Sequence, residues 1–254
     1  MKLIASDFDE TLKRNRKVSL EDKKAIRRMQ KDGNCFLIVS GRNYDMLKDA
    51  LWFFHVPYDY LILANGALIM DKNHKIIYRR KMDPSIAQIL KDEVHKRKVL
   101  IAGFTDGVRY SVLKHANSLR GIIRALVLGV RKTREEEIPL EDIASFYILS
   151  DEKNTEEIYQ KYESNELLSV VKNVSTIVDI QGAHTDKSTA LFFLKDLLNA
   201  EEVYAIGDSH NDLKMITEHI GIAMANGEKE VRDAAQYVVR DFTEVEKIVN
   251  HEKV

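Results

Sequence analysis

The chain has 254 residues, 44% of them hydrophobic and 31% charged, a composition typical of a globular protein large enough for two domains. Its 39 basic and 40 acidic side chains give a net charge of −1, so we expect neither nucleic acid nor an anionic membrane surface as a partner. The one cysteine excludes an internal disulfide, and no apolar run approaches the roughly 20 residues of a membrane span, so we expect a cytoplasmic protein.

The first predicted strand covers residues 3–5 and leads into two acidic residues, Asp7 and Asp9. If the chain is still extended there, residues spaced i, i+2 point the same way, and the two carboxylates meet at the end of the strand. Their mutual repulsion favours a cation between them, and Mg²⁺ is the hard ion that prefers such oxygen ligands. A solvated acidic turn after an edge strand is the alternative interpretation of this stretch alone.

Two further strands and two helices are predicted before residue 66. A helix begins at the N-cap residue Ser19 and ends at Gly33, and a strand over residues 35–39 follows it. A second helix then leads to a strand over residues 61–64. The apolar strands lack an alternating pattern, which is typical of a parallel sheet covered on both faces.

The pattern changes between about residue 67 and residue 182, where short strands are joined by hairpin turns. Asp83-Pro84 predicts the start of a helix, and Asp106-Gly107 predicts the turn of a hairpin. More short strands and one helix are predicted from residue 144 onwards. This part of the chain is therefore interpreted as an α+β unit.

The parallel pattern returns with a helix over residues 187–198 and a strand over residues 203–206. One more strand and three short helices complete the chain. We therefore predict an α/β fold in which residues 1–82 and 183–254 form a Rossmann-like parallel-sheet core. Residues 83–182 are predicted to form an inserted α+β domain.

Several of the predicted core strands end in polar residues, among them Asp7, Ser40, Asn65 and Asp208. In an open parallel sheet, ligands bind in the crevice beyond the carboxyl ends of the strands. One polar residue at a strand end is ordinary, and Ser40-Gly41 alone could be turn chemistry. Acids and a hydroxyl from distant segments that converge on one edge predict a functional site.

Four motifs in these segments resemble those of the haloacid dehalogenase superfamily of phosphotransferases. Residues 7–12, Asp-Phe-Asp-Glu-Thr-Leu, are similar to its first motif, D-x-D-x-T-L, and Ser40 matches its second. Lys187, within residues 186–191, resembles the third motif, and residues 207–212 resemble the fourth, G-D-x-x-N-D. Together with an α+β insertion between the second and third motifs, they resemble the Cof-type branch, subclass IIB, which has a cap domain of the C2B type.

The resemblance implies a Mg²⁺-dependent phosphatase that hydrolyses a small phosphorylated metabolite, such as a sugar phosphate or a phosphorylated cofactor. Asp7 would be the nucleophile that forms an aspartyl-phosphate, Asp9 the general acid and base, and Lys187 a source of positive charge. The other residues implied are phosphate or substrate ligands (Ser40, Gly41, Arg42, Asn211) and metal ligands (Asp7, Asp9, Asp208, Asp212). Among the metal ligands, Asp9 would contribute its backbone carbonyl, and Asp212 would support the ion from behind Asp208 or through water. Asn43, Asn65 and Gly66 are further candidates for the pocket wall.

Two other functions stay open at this point, a phosphomutase of the same superfamily and a non-catalytic metabolite-binding protein on the same fold. Lys187 alone could be a solvated lysine at a helix start. The chain also departs from the family at Glu10, where many members have glycine, so Glu10 either points outwards or adds negative charge near the pocket. The sequence does not indicate an oligomeric state.

Overall fold

The computed structural model describes residues 1–115 and 138–251 of the chain. Within these residues there are thirteen strands. In chain order they are β1 Lys2–Asp7, β2 Cys35–Val39, β3 Tyr60–Leu63, β4 Leu68–Asp71, β5 Ile76–Arg79, β6 Ile101–Thr105, β7 Tyr110–His115, β8 Ser145–Leu149, β9 Leu168–Val174, β10 Ile177–Gly182, β11 Glu202–Gly207, β12 Ile220–Met224 and β13 Tyr237–Val239.

Six of the eight helices of the described residues begin at a side chain that caps them. Ser19 Oγ accepts a hydrogen bond from the Asp22 N–H at 2.9 Å, and Asp83 caps a helix with Pro84 in its first turn. None of these helices is long and apolar enough to cross a membrane. They are α1 Leu20–Lys31, α2 Tyr44–Phe54, α3 Pro84–Lys96, α4 Glu152–Tyr162, α5 Lys187–Leu198, α6 Leu213–Glu218, α7 Lys229–Ala234 and α8 Phe242–Val249.

An eight-stranded sheet in the order β13-β12-β11-β1-β2-β3-β4-β5 forms the core. The strands from β13 to β3 are parallel, as predicted, and β4 and β5 are antiparallel at one edge. Side chains on both faces of β1 are buried: Ile4 belongs to the same apolar cluster as Ile26 of α1, whereas Leu3 belongs to that of Leu191 of α5. Burial on both faces explains why the strands carry continuous apolar runs.

The edges of this sheet carry its shortest strands. The β4–β5 hairpin lies within residues 1–82, and it pairs with β3 and extends the core sheet. The strand β13 was not predicted, because it has only three residues and two of them are exposed at the sheet edge. The proposed domain boundaries, at residues 82/83 and 182/183, stay a prediction.

A five-stranded antiparallel sheet in the order β7-β6-β8-β10-β9 forms the second unit, which we call the cap. One of its faces carries Phe104, Phe146 and Val178, which share a buried cluster with Leu90 of α3 and Ile158 of α4. Residues of the opposite face, among them Tyr147 and Asp179, line a cavity together with residues of the core.

The chain passes from the core sheet to the cap sheet and back at neighbouring points. A Cβ atom placed on Gly182, at the end of β10, would lie 3.2 Å from the carbonyl oxygen of Lys81. The Met82 N–H, next in the chain, donates a hydrogen bond of 2.7 Å to the carbonyl of Ile143. The two crossing segments thus run side by side.

The tip of the β6–β7 hairpin rests on the first turn of α2. The N–H groups of Tyr44 and Asp45 donate to the carbonyls of Gly107 and Val108, both at 3.0 Å. These N–H groups have no hydrogen-bond acceptor within the helix, so the carbonyls of the cap hairpin serve as their acceptors. Gly107 has a φ of +89°, and an added Cβ would lie 2.7 Å from the Leu68 Cβ, so this close approach requires glycine.

Gly107→Ala is expected to destabilise the protein more than Gly33→Ala, which serves as its matched control. Gly33 has a similar φ of +84°, but nothing lies within 4 Å of its added Cβ. Backbone strain alone should cost about 1–2 kcal/mol at each position. The contact with Leu68 should add about 1–3 kcal/mol at Gly107.

Urea unfolding monitored by circular dichroism measures both losses of stability. Equal losses for the two variants would mean that the hairpin tip does not pack tightly against the core.

Candidate active site

Three neighbouring strands, β11, β1 and β2, bring the predicted site residues together. Asp7 is the last residue of β1, Ser40 follows β2, and Asp208 follows β11. Because these strands are adjacent and parallel, their carboxyl ends open at the same edge of the sheet. The convergence that the sequence predicted is present.

Lys187, the first residue of α5, forms a buried ion cluster with two aspartates. Its Nζ donates to Asp7 Oδ1 at 2.7 Å and to Asp212 Oδ1 at 2.6 Å, and only 3% of the Lys187 surface is exposed. Burial alone would lower the pKa of Lys187, but the charges of Asp212 and Asp7 outweigh it and hold the pKa above its usual value. The ammonium group is therefore charged.

Asp7 and Asp208, at the ends of two neighbouring strands, have carboxyl groups with raised pKa values. Burial raises the pKa of Asp7 well above its usual value, although the neighbouring Lys187 opposes the shift. Burial also raises the pKa of Asp208 to about 6, against the hydrogen bond that it accepts from the Thr11 hydroxyl. Both groups would therefore gain from a nearby cation.

Oxygen atoms of Asp7, Asp208 and Asp212 lie within 4.8 Å of one another. A set of carboxylate oxygens with no nitrogen or sulfur donor fits a hard divalent cation such as Mg²⁺. Asp212 is the most constrained of the three, because its Oδ2 also accepts hydrogen bonds from the N–H groups of Asp208 and Ser209, at 3.1 and 3.2 Å. It is therefore well placed to support such a site from behind.

Asp9 lies in a different environment from Asp7. Strand β1 ends at Asp7, so the extended geometry that would align the two carboxylates does not continue. The Asp9 carboxylate instead accepts two hydrogen bonds from Arg42, at 2.7 and 2.9 Å, and one from Lys13 at 2.6 Å. The Asp9 carboxylate therefore lies outside the cluster of carboxylates that could share an ion. Arg42, which was predicted as a phosphate ligand, forms an ion pair with Asp9.

The other predicted phosphate ligands surround the same cavity. Ser40 is buried, and its Oγ accepts a hydrogen bond from the Arg42 N–H at 3.2 Å. The Asn211 Oδ1 accepts one from the Ser209 hydroxyl at 2.7 Å. A Cβ on Gly41 would lie 2.8 Å from Asn65 Oδ1, so this turn has no room for a side chain.

The cavity has a volume of about 320 Å³ and lies between the two sheets. Its core wall includes all the predicted phosphate ligands, together with Asn43. Its cap wall, which the sequence did not predict, is formed by Thr105, Tyr110, Ser145, Tyr147, Ile177 and Asp179. The sequence analysis also did not predict that Thr11 and Lys13 would hydrogen-bond to the carboxylates of the site, although Thr11 belongs to the first motif.

Other residues of the motifs and of the loops after the strands do not line the cavity. Glu10 is exposed and has a φ of +59°, a left-handed conformation in which glycine costs least. His210 is 61% exposed and contacts Glu230 at 3.2 Å. Asn65 and Gly66 are not among the lining residues, and Gly66 packs against the backbone of Asp186.

A family model described as haloacid dehalogenase-like hydrolase matches residues 4–249. A Buchnera aphidicola protein that carries a provisional phosphatase name is 36% identical over 89 residues, which are 35% of this chain and 33% of that protein. An uncharacterised Mycoplasma capricolum protein is 30% identical over 126 residues, or 46% of each chain. The matched regions therefore span less than half the length of these curated relatives.

Solved structures match over almost the whole chain. A haloacid dehalogenase-like hydrolase from B. subtilis has a TM-score of 0.83 and 23% identity, with 99% of each chain covered. A subclass IIB sugar phosphatase of the same superfamily has a TM-score of 0.78 and 19% identity, with 99% of this chain and 98% of that chain covered. The shared fold confirms the predicted parallel-sheet core with an inserted α+β cap.

Lys187→Met should lower the free energy of unfolding by about 3–5 kcal/mol in the presence of a chelator, because it leaves two buried carboxylates without their cation. Adding Asp212→Asn to this variant should restore part of the loss. Lys195→Met, which changes a partly exposed lysine of the same helix, is the matched control. Urea unfolding at pH 7.5 is the measurement, and equal losses at residues 187 and 195 would contradict the buried cluster.

Asp208→Asn should stabilise the chelated protein at pH 7.5 but not at pH 4.5. A carboxyl whose pKa is higher in the folded state takes up a proton on folding, so stability falls as the pH rises from about 4 to the folded pKa of about 6. The amide removes that loss, and we expect a rise in Tm of about 2–4 °C. Differential scanning fluorimetry at both pH values measures the Tm, and Asp196→Asn, at an exposed aspartate, is the control. A rise in Tm of the same size at pH 4.5 would refute the prediction.

Proposed function

Because this chain belongs to the family of haloacid dehalogenase-like hydrolases, as its motifs predicted, we propose that it is a Mg²⁺-dependent phosphatase of a small phosphorylated metabolite. The observation that carries the proposal is the Asp7 carboxylate, which lines the cavity while the buried ammonium of Lys187 holds its Oδ1 at 2.7 Å. That contact leaves Oδ2 of Asp7 available for the phosphorus atom.

Asp7 is proposed as the nucleophile. A bond forms between its carboxylate oxygen and phosphorus while the bond from phosphorus to the leaving oxygen breaks, which gives an aspartyl-phosphate. A carboxylate that approaches a phosphate dianion is repelled, and the fixed charge of Lys187 reduces that repulsion. When bound by Asp7 and Asp208, with Asp212 in support, Mg²⁺ supplies further positive charge at this point.

Asp9 is proposed as the general acid and base. It is 37% exposed in its side chain and lines the cavity, so it can reach both the leaving oxygen and water. The protonated Asp9 donates its proton to the leaving oxygen in the first step. In the second step its carboxylate accepts a proton from the water that attacks phosphorus, while the bond from phosphorus to the Asp7 oxygen breaks and phosphate is released. Arg42 and Lys13 hold its carboxylate in place through three hydrogen bonds.

Ser40, Gly41 and Asn211 are proposed to bind the oxygens of the phosphoryl group. The Ser40 hydroxyl, the Gly41 N–H and the Asn211 amide are neutral donors, which recognise phosphate without adding charge to a site that already holds several ions. All three residues line the cavity together with Asp7.

The charge of the cavity favours hydrolysis of a monophosphate over a mutase reaction. A phosphomutase would need a bisphosphate activator, yet Arg42 is the single cationic residue among those that line the described cavity, and it is paired with Asp9. A sugar monophosphate is the substrate class we favour, since one structural neighbour is a sugar phosphatase and the cap wall carries hydroxyl side chains. The presence of all four motif residues argues against a non-catalytic role.

A phosphate-release screen over phosphorylated metabolites should detect turnover with Mg²⁺ and none with a chelator. Asp7→Asn should reduce kcat by at least about 10³-fold, because the amide is not a nucleophile. Asp233→Asn, at an exposed aspartate paired with Lys229, is the control and should keep full activity. Turnover that survives either Asp7→Asn or chelation would refute the proposal, and conversion of substrate without release of phosphate would indicate a mutase.

A further inference from the structure

The cap wall of the cavity carries two tyrosines whose rings stack on each other, which we call the tyrosine pair. Tyr147 of β8 and Tyr110 of β7 both line the cavity, and their ring centroids lie 4.2 Å apart with an interplanar angle of 28°. Gly103, which pairs with Tyr147 across the ladder between β6 and β8, leaves room for this arrangement. A Cβ atom on Gly103 would lie 2.3 Å from the Tyr147 hydroxyl oxygen. The wall is therefore built to hold an aromatic ring flat at this position.

Tyr147 meets the cavity with its ring and not with its hydroxyl group. The hydroxyl oxygen is buried, and it has no hydrogen-bond partner in the part of the chain that the structure describes. A tyrosine that bound a polar group of the substrate would present this oxygen to the cavity. Because Tyr147 lines the cavity while its oxygen is covered, its side chain contributes carbon surface to the wall.

Apolar side chains extend this surface on both walls. Ile177 at the start of β10 lies on the cap wall, and Met46 of α2 lies on the core wall. A leaving group with an apolar face gains binding free energy when it buries that face against these side chains. An aromatic ring also attracts C–H groups, because the face of its π system carries partial negative charge. The cavity therefore suits a leaving group that has a flat face of C–H bonds.

Two hydroxyl groups on the cap wall are oriented as hydrogen-bond acceptors. Thr105 Oγ1 donates its proton to the carbonyl of Arg109. Ser145 Oγ donates its proton to the carbonyl of Phe146 at 3.2 Å. Each oxygen accepts one hydrogen bond from the described residues, so one of its two lone pairs stays available to a donor of the substrate. Hydroxyl groups at the edge of a leaving group can supply such donors.

We propose that the tyrosine pair determines specificity by packing against the C–H face of a pyranose ring, while hydroxyl groups at the edge of that ring donate to Thr105 and Ser145. A closed sugar ring has both features, a flat apolar face and hydroxyl groups around it. An open-chain polyol has similar hydroxyl groups but no flat face, and its rotatable bonds must be ordered on binding. This inference rests on the proposed phosphatase function and goes beyond it by naming the residues that select a closed ring.

A matched pair of substrates tests this selection. Glucose 6-phosphate and sorbitol 6-phosphate have the same phosphorylated carbon chain, but only the first closes into a pyranose ring. The wild-type protein should prefer glucose 6-phosphate, measured as the ratio of the two kcat/KM values. Tyr147→Leu removes the aromatic ring and should lower that ratio by about 3- to 10-fold, the loss expected for one ring contact. Tyr147→Phe keeps the ring and removes only the buried hydroxyl, so it should keep the wild-type ratio.

A control variant and a third substrate separate this inference from folding and from the proposed function. Tyr159→Leu changes a half-buried cap tyrosine that does not line the cavity, and it should not alter the ratio. The inference would be overturned by an equal loss of kcat/KM for both substrates in Tyr147→Leu, by a Tyr147→Phe variant as impaired as Tyr147→Leu, or by a wild-type ratio near one. Acetyl phosphate has a leaving group too small to reach the cap wall, so its turnover alone would overturn the inference and leave the phosphatase function standing. Phosphate release from none of the three substrates would overturn the proposed function as well.

Discussion

The whole site depends on one buried ammonium group held between two carboxylates. Three charges out of contact with water are costly, and only their mutual contacts compensate for this. The start of a helix is moreover an unfavourable place for a cation, so the helix dipole gives Lys187 no support. Its position is fixed by Asp7 and Asp212, which come from two other segments of the chain. One interaction therefore sets the relative positions of β1, α5 and the loop after β11.

The two aspartates of the first motif acquire different properties because the strand ends between them. Asp7 is still part of β1 and faces the buried ammonium, whereas the backbone beyond it turns. The turn closes with a hydrogen bond of 2.7 Å from the Lys13 N–H to the Phe8 carbonyl, and it contains the left-handed residue Glu10. One carboxylate is therefore buried, and its neighbour in the motif is half-exposed and held by cations. This difference fits the roles proposed for them, attack on phosphorus by Asp7 and proton exchange by Asp9.

The sequence predicted the core side of the site well, because polar residues that follow buried parallel strands have to meet at one edge. Ser40 and Asp208 were found in this way, and helix starts such as Ser19 and Asp83 were found from their capping chemistry. The cap side could not be predicted. Asp179 alternates with buried apolar neighbours along β10, and the same pattern describes a residue that faces water. Nor could the pairing of Arg42 with Asp9 be predicted, since it depends on where β1 ends.

The neighbouring crossing points between the two sheets have a consequence for how such a protein diversifies. Because the end of β10 returns to within contact distance of Lys81, the inserted unit begins and ends at almost the same place. A segment attached in this way can gain, lose or exchange residues without changing the path of the chain that carries Asp7, Lys187 and Asp208. Sequence changes can therefore accumulate in one unit of the protein while the cluster of charged residues is inherited intact in the other.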